Sequence, residues 1–219
     1  MCSYRHVTST VRWALAAIAV LAAAGCTAPA PDDADDTQIV LAEGYELGGY
    51  NPVDGYAESG VSPLYDGLYR PSATTDDVVP DLAPALAQGA PEPAGPNRWR
   101  IPLRAGVQFS DGTAFDSADV VATYAAVADP AVASEIATAV TPIVSIEPDG
   151  PEAVTVELTT AADPRPYLLL GILPSERVES APAADWAVNT EPVGTGPYRL
   201  DSLRPDQAVL VAREDYWGT

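Results

Sequence analysis

Residues 103–121 read LRAGVQFSDGTAFDSADVV, and this stretch decides the fold class. Val107 and Phe109 alternate with polar neighbours, as in a strand with one buried face. Asp111-Gly112 follows, a dipeptide that favours a tight turn because both positions tolerate positive φ. Asp116 then stands where a helix needs an acceptor for its free amides, with Asp119 three residues on in the manner of a capping box. Val120, Val121, Tyr124 and Val127 continue as one apolar stripe at helical spacing. Strand, turn and capped helix within 25 residues or so predict a mixed α/β protein whose sheets are built partly from hairpins.

The flanking sequence extends that pattern. Residues 98–103 (RWRIPL) predict a strand with Trp99, Ile101 and Leu103 on one face. Residues 143–146 and 154–158 (VTVEL) predict paired strands across the turn 148–151, PDGP. Residues 198–203 and 208–213 predict a second antiparallel pair around Pro205-Asp206, and residues 38–42 (QIVLA) a short buried strand. Leu64, Tyr65 and Leu68 lie at helical spacing, so a short helix is expected over 61–69, and the apolar run 167–173 reads as helical. No internal repeat is present.

Composition removes several kinds of chemistry. The 219 residues hold 31 Asp plus Glu against 11 basic residues, all of them Arg, and His6 is the only histidine. Without Lys there is no phosphate-loop lysine and no Schiff base. Without a second histidine there is neither a histidine-based triad nor a histidine metal cluster. A formal charge of −20 repels phosphate, so nucleic acid is not an expected partner. With 47% hydrophobic and 19% charged residues, the chain still has the means to bury a core. Asp32-Asp33 and Asp76-Asp77 read as solvated loop charges and not as an acid/base dyad. No loop carries the D-x-D-x-D-G pattern of a calcium site. Catalytic residues, cofactors and metals are therefore all expected to be absent, and the protein is expected not to be an enzyme.

The N-terminus reads as an address. Arg5 and Arg12 precede or open a 12-residue apolar run, 13–24, too short for a spanning helix of roughly 20 residues. It ends in Ala23-Ala24-Gly25-Cys26, which resembles the lipobox of bacterial lipoproteins, with Ala23 where that pattern usually has Leu. Residues 1–25 are thus expected to be a lipoprotein signal peptide. Cys2 leaves with it, and Cys26 is the expected lipidation site, the thiol that would otherwise remain unpaired outside the cell. Residues 26–37 form an acidic, Pro-rich tether. Removal of the leader leaves nine Arg against 31 acids, a charge of −22.

A series of further segments gives the chain a family resemblance. Residues 63–68 (PLYDGL) are similar to a "YEGL" block, 79–83 (VPDLA) to "vPaLAesw", and 103–113 to "LRpGVkFhDGtp". Residues 115–121 continue as "ltaeDVv", 192–198 (PVGTGPY) match "PvGTGPY", and 215–218 (DYWG) match "pdYWg". In this order the blocks resemble the extracellular solute-binding proteins, family 5, of ABC importers, a group with peptide- and nickel-binding members. The resemblance implies a periplasmic-binding-protein-like type II lobe, incomplete. Residues 38–219 would be the N-terminal part of the family domain, with 63–190 as an inserted subdomain and no second lobe. It also implies ABC permease subunits as partners and a peptide or other small solute as ligand, while the Cys26 lipobox gives the expected place, lipid-anchored on the extracytoplasmic face of the cell membrane. Nickel complexes or oligosaccharides are alternatives, as is a truncated surface lipoprotein that does not transport.

In such relatives the loop after the first strand lines the cleft. Here that places Tyr56, Glu58 and Ser59 against the ligand, offering a ring face, a carboxylate and a hydroxyl; an ordinary surface loop is the other reading. Gly194-Thr195-Gly196-Pro197 lacks the longer glycine pattern and the lysine of a phosphate cradle and reads as a tight structural return. Trp217 reads as an anchored core aromatic.

Overall fold

The computed structural model describes residues 49–72 and 79–218, and the backbone of 38–42, all within one compact unit, Thr37–Thr219. The expectations for residues 1–25, for the tether and for Cys26 lie outside the described residues. Mixed α/β architecture is present, with three antiparallel sheets and one α-helix among the described residues.

In chain order the elements are β1 (Gln38–Ala42), β2 (Tyr69–Pro71), β3 (Leu82–Pro84), β4 (Glu92–Gly95), β5 (Arg98–Pro102), α1 (Ser117–Ala128), β6 (Ile143–Pro148), β7 (Ala153–Leu158), β8 (Tyr198–Arg204) and β9 (Gln207–Ala212). One sheet has the order β1-β9-β8, a second is β2-β3, and the third is β4-β5-β7-β6. The first is assembled from the two ends of the described chain, Gln38 pairing with Val211 and Ala42 with Gln207.

The four-stranded sheet follows from alternation in β5 and β7. Ile101 opposes Val154 and Trp99 opposes Val156; Ile101, Val154, Val156 and Leu158 are buried and Trp99 half-buried. The other face carries Arg100, 2.7 Å from Asp149 and 3.2 Å from Glu92, and Arg98, 3.5 Å from Glu147. These pairs are solvated and contribute little stability. They keep an open sheet face polar.

Helix α1 begins where the capping pattern puts it. Ala118 N donates to Asp116 Oδ1 at 2.7 Å, and Asp116 N donates to Asp119 Oδ2 at 2.8 Å. Val120, Tyr124 and Val127 are buried, and Val121 is half-buried. Asp119 has a second task, because its Oδ1 accepts from Ser175 N at 2.8 Å. Thr123 Oγ1 likewise accepts from Leu173 N at 3.1 Å. The helix start thus holds the segment that runs past it.

That segment corrects two expectations. Neither 61–69 nor 167–173 is an α-helix. Beyond a single 3-10 turn at Arg165–Tyr167, the second runs extended beside the first. Tyr69 N donates to Leu168 O at 3.1 Å and Ile172 N to Asp66 O at 3.1 Å. Residues 64–69 are buried on every side, so their apolar content reports depth and not helical period. Close approach also depends on Gly67 and Gly171. A Cβ at Gly67 would lie 2.3 Å from Leu169 O, and one at Gly171 would lie 2.6 Å from Tyr65 Cβ.

Candidate functional site

The loop 49–60 is built on Asn51. This buried side chain accepts from Val53 N at 3.0 Å and donates to Ala183 O at 3.0 Å, capping the 3-10 turn Pro52–Asp54 and fixing it to the body. Gly55 at φ 98° and Gly60 at φ 81° supply the left-handed turns that bend the loop back. Tyr56 therefore faces inward. Its ring meets Tyr50 edge-on at 5.3 Å and Tyr65 at 6.0 Å, with its hydroxyl beside Ser62, and burial pushes its pKa up.

Glu58 and Ser59 lie exposed at the turn between those glycines, and neither side chain bonds to another described residue. The structure thus separates the three expected ligand contacts into a packed ring and two solvent-facing polar groups. Cavities of about 230, 330 and 390 Å³ lie elsewhere. The first, between α1 and β6, is lined chiefly by apolar groups such as Val121, Ile143 and Val144.

A denser polar centre joins four of the sequence blocks. Asp66 is buried, and its Oδ2 accepts from Trp217 Nε1 at 3.0 Å and Thr195 Oγ1 at 3.4 Å. Trp217 lies under Arg104, whose Cζ is 4.5 Å from the ring centroid, and beside Tyr216 at 5.2 Å. Arg213 is buried too. Its Nη1 donates to Gly194 O at 3.1 Å and Gly196 O at 3.3 Å, and its Nη2 to Gln108 O at 2.9 Å and Phe109 O at 3.2 Å. Nε and Nη2 also grip Asp215 at 3.1 and 3.0 Å, which holds that carboxyl below its usual range. Gly194 and Gly196 fit against the Leu64–Tyr65 backbone, so the Gly194–Pro197 return is structural.

Burial pushes the Asp66 pKa up to about 6, opposed by the bonds from Trp217 and Thr195 and by the charges of Arg70 and Arg213. A carboxyl with a folded pKa above its unfolded 3.8 holds a proton in the native state that the unfolded chain releases. Stability should therefore fall as pH rises through the window from about 4 to about 6, by roughly 3 kcal/mol for this group. Asp66→Asn, which keeps an acceptor for Trp217, should flatten that slope and leave the variant no less stable than wild type at pH 7. Urea unfolding between pH 4 and 7 checks this. Parallel profiles for the two proteins would refute it.

The motif order across this centre matches known proteins. Residues 81–219 fit the family model for "Bacterial extracellular solute-binding proteins, family 5 Middle". The chain belongs to family 5. It is 31% identical over 221 aligned residues to Protein XP55 of Streptomyces lividans, covering 95% of this chain and 39% of that one. Among solved structures it resembles NikZ from Campylobacter jejuni, crystallised in complex with Ni(L-His), at a TM-score of 0.68 and 25% identity, covering 80% of this chain and 35% of NikZ. It also resembles the oligopeptide-binding protein AppA from Bacillus subtilis, in complex with a nonapeptide, at a TM-score of 0.62 and 23% identity, covering 81% and 36%. The chain thus spans well under half the length of these family 5 proteins. Its fold is that of periplasmic-binding-protein-like solute-binding proteins at partial coverage, as the sequence blocks implied. Among the described residues no helix is long and apolar enough to cross a membrane.

Asp66 and Arg213 escaped residue-level reading. Each stands inside or beside a quoted block, but a lone Asp or Arg in an acidic chain carries no signal of burial.

Proposed function

We propose that this chain is part of a lipid-anchored solute-binding component of an ABC importer, with peptide as the first candidate ligand. The observation that carries the reading is family 5 membership over 81–219. The signature segments support it, because their polar groups are spent on holding loops together: Arg213 on carbonyls, Asp66 on Trp217, Asp119 on a helix start and Ser175. The role is binding without turnover, with closure of two lobes converting occupancy into a state that a permease recognises. Residues 38–219 would supply the first lobe, 63–190 within it forming the inserted subdomain.

Tyr56, Glu58 and Ser59 are the proposed ligand contacts of this lobe. The inward Tyr56 ring is a wall element, while exposed Glu58 suits an amine or cation and Ser59 adds a hydroxyl. In a polypeptide extended to its relatives' full length, Tyr56→Ala with Glu58→Gln should weaken peptide binding at least tenfold by calorimetry. Unchanged affinity would remove the loop from the site. A nickel complex is the second reading, favoured by the similarity to NikZ; the same titration with Ni(II) and L-histidine decides between them.

Attachment through Cys26 completes the proposal. Fatty-acid labelling should mark the wild type, and Cys26→Ala should move the protein from the membrane to the soluble fraction. A membrane-bound variant would refute the anchor.

A further inference from the structure

Cations are scarce in this chain, and most of them are paired. Among the described residues Arg98, Arg100, Arg165, Arg177, Arg199 and Arg213 each approach a carboxylate within 4.0 Å. Arg70, Arg104 and Arg204 have no such partner there. Two of these three meet at one place. Arg70 lies on β2 opposite Ala83 of β3, and Arg104 Nε donates to Ala85 O, two residues further along, at 3.2 Å. Tyr216 lies beside both, its hydroxyl against Arg70 and within the fields of Asp66 and Arg104. Its ring folds back over Gly218, where a Cβ would come within 2.8 Å of the hydroxyl oxygen.

We propose that Arg70, Arg104 and the Tyr216 hydroxyl form a binding site for a single carboxylate. Arg104 is pre-oriented, with its plane over Trp217 and its Nε committed to Ala85 O, while its two terminal nitrogens have no partner among the described residues. A guanidinium edge with two donors matches a carboxylate in bidentate geometry. The charge balance selects a monoanion: Arg70 lies in the field of one buried carboxylate, Asp66, Arg213 is paired with Asp215, and Arg104 has no carboxylate within 4.0 Å among the described residues. Asp66, whose Oδ2 is held by Trp217 and Thr195, lies in the field of Arg70 and Tyr216 and offsets one of the two guanidinium charges, which leaves room for one further negative charge. On a chain of net charge −20, such a local positive excess is the condition for holding an anion at all.

The site goes beyond the solute-binding reading and does not depend on the Tyr56 loop. Its carboxylate has two possible sources: a small solute, or an acidic side chain of a further polypeptide segment.

The test follows arginine Nε–Hε signals of the full chain by NMR during titration with sodium acetate, against sodium chloride at equal ionic strength. Saturable, concerted shifts of Arg70 and Arg104 are expected, with Arg204 unmoved. Arg70→Gln should weaken the Arg104 response at least tenfold, and the unchanged spectrum of the remaining arginines reports an intact fold. Repeating the titration with N-acetylglycine and with the side-chain carboxylate of N-acetylglutamic acid amide separates a terminal from a side-chain source. Shifts that do not saturate, or that chloride reproduces, overturn the proposal.

Discussion

Arg213→Met should cost the folded body about 3–5 kcal/mol, the range for removing one partner of a buried, hydrogen-bonded charge. Marginal stability of ~5–15 kcal/mol makes that a large fraction of the whole. The reason is geometric. Methionine fills the volume, yet leaves the carbonyls of Gln108 and Gly196 without their donor, takes one of two donors from Phe109 O and Gly194 O, and leaves Asp215 without its counter-charge. Those carbonyls belong to two loops with no shared sheet, so the guanidinium is a joint between them. Arg213→Lys should recover only part of the loss, since an ammonium has three donors on a point charge and cannot span a fork. Chemical unfolding of the three proteins measures the series. An Arg213→Met midpoint equal to wild type would show the joint to be dispensable.

Gly196→Ala is expected to be comparably damaging through sterics alone. Its Cβ would fall 2.5 Å from Leu64 C, 2.6 Å from Pro63 O and 2.7 Å from Tyr65 N. All three are backbone atoms, which cannot rotate away. Relief requires parting two strands of chain now joined by Gly196 N to Leu64 O at 3.0 Å and Tyr198 N to Pro63 O at 2.9 Å. Overpacking of this kind costs about 1–3 kcal/mol where side chains can yield, and more where they cannot. Gly89→Ala is the control, with nothing within 4 Å of the added methyl. Equal stability losses for the two substitutions would show that close approach is not what position 196 requires.

Much of the scaffold was legible. The Asp111-Gly112 turn, the Asp116 cap and the β6–β7 and β8–β9 pairs were all readable, because each depends on residues near one another in sequence. The helix expected at 61–69 and that at 167–173 failed for a shared reason. Residues 64–69 and 170–173 are buried throughout, so no polar face was present there to reveal a period, and Gly67 and Gly171, which let them lie side by side, look unremarkable one at a time. The polar centre was hidden similarly. Trp217 could be read as an anchored aromatic, but its acceptor Asp66 stands 151 residues earlier, a pairing that only the fold creates. At the 49–60 loop, sequence could nominate Tyr56, Glu58 and Ser59 but could not tell the inward ring from the outward acid, since that depends on the positive φ of Gly55 and Gly60 and on Asn51 reaching Ala183.

The pairing of β1 with β9 has a bearing on biosynthesis. Gln38 to Ala42 find their hydrogen-bonding partners in residues 207–211, roughly 170 positions later, and contacts of that separation form late because the intervening loop must first close. A nascent polypeptide emerging from the ribosome therefore presents β1 with an unsatisfied ladder until residues 207–211 have been delivered. Holding factors that meet the unfolded chain would find a persistent target at that strand.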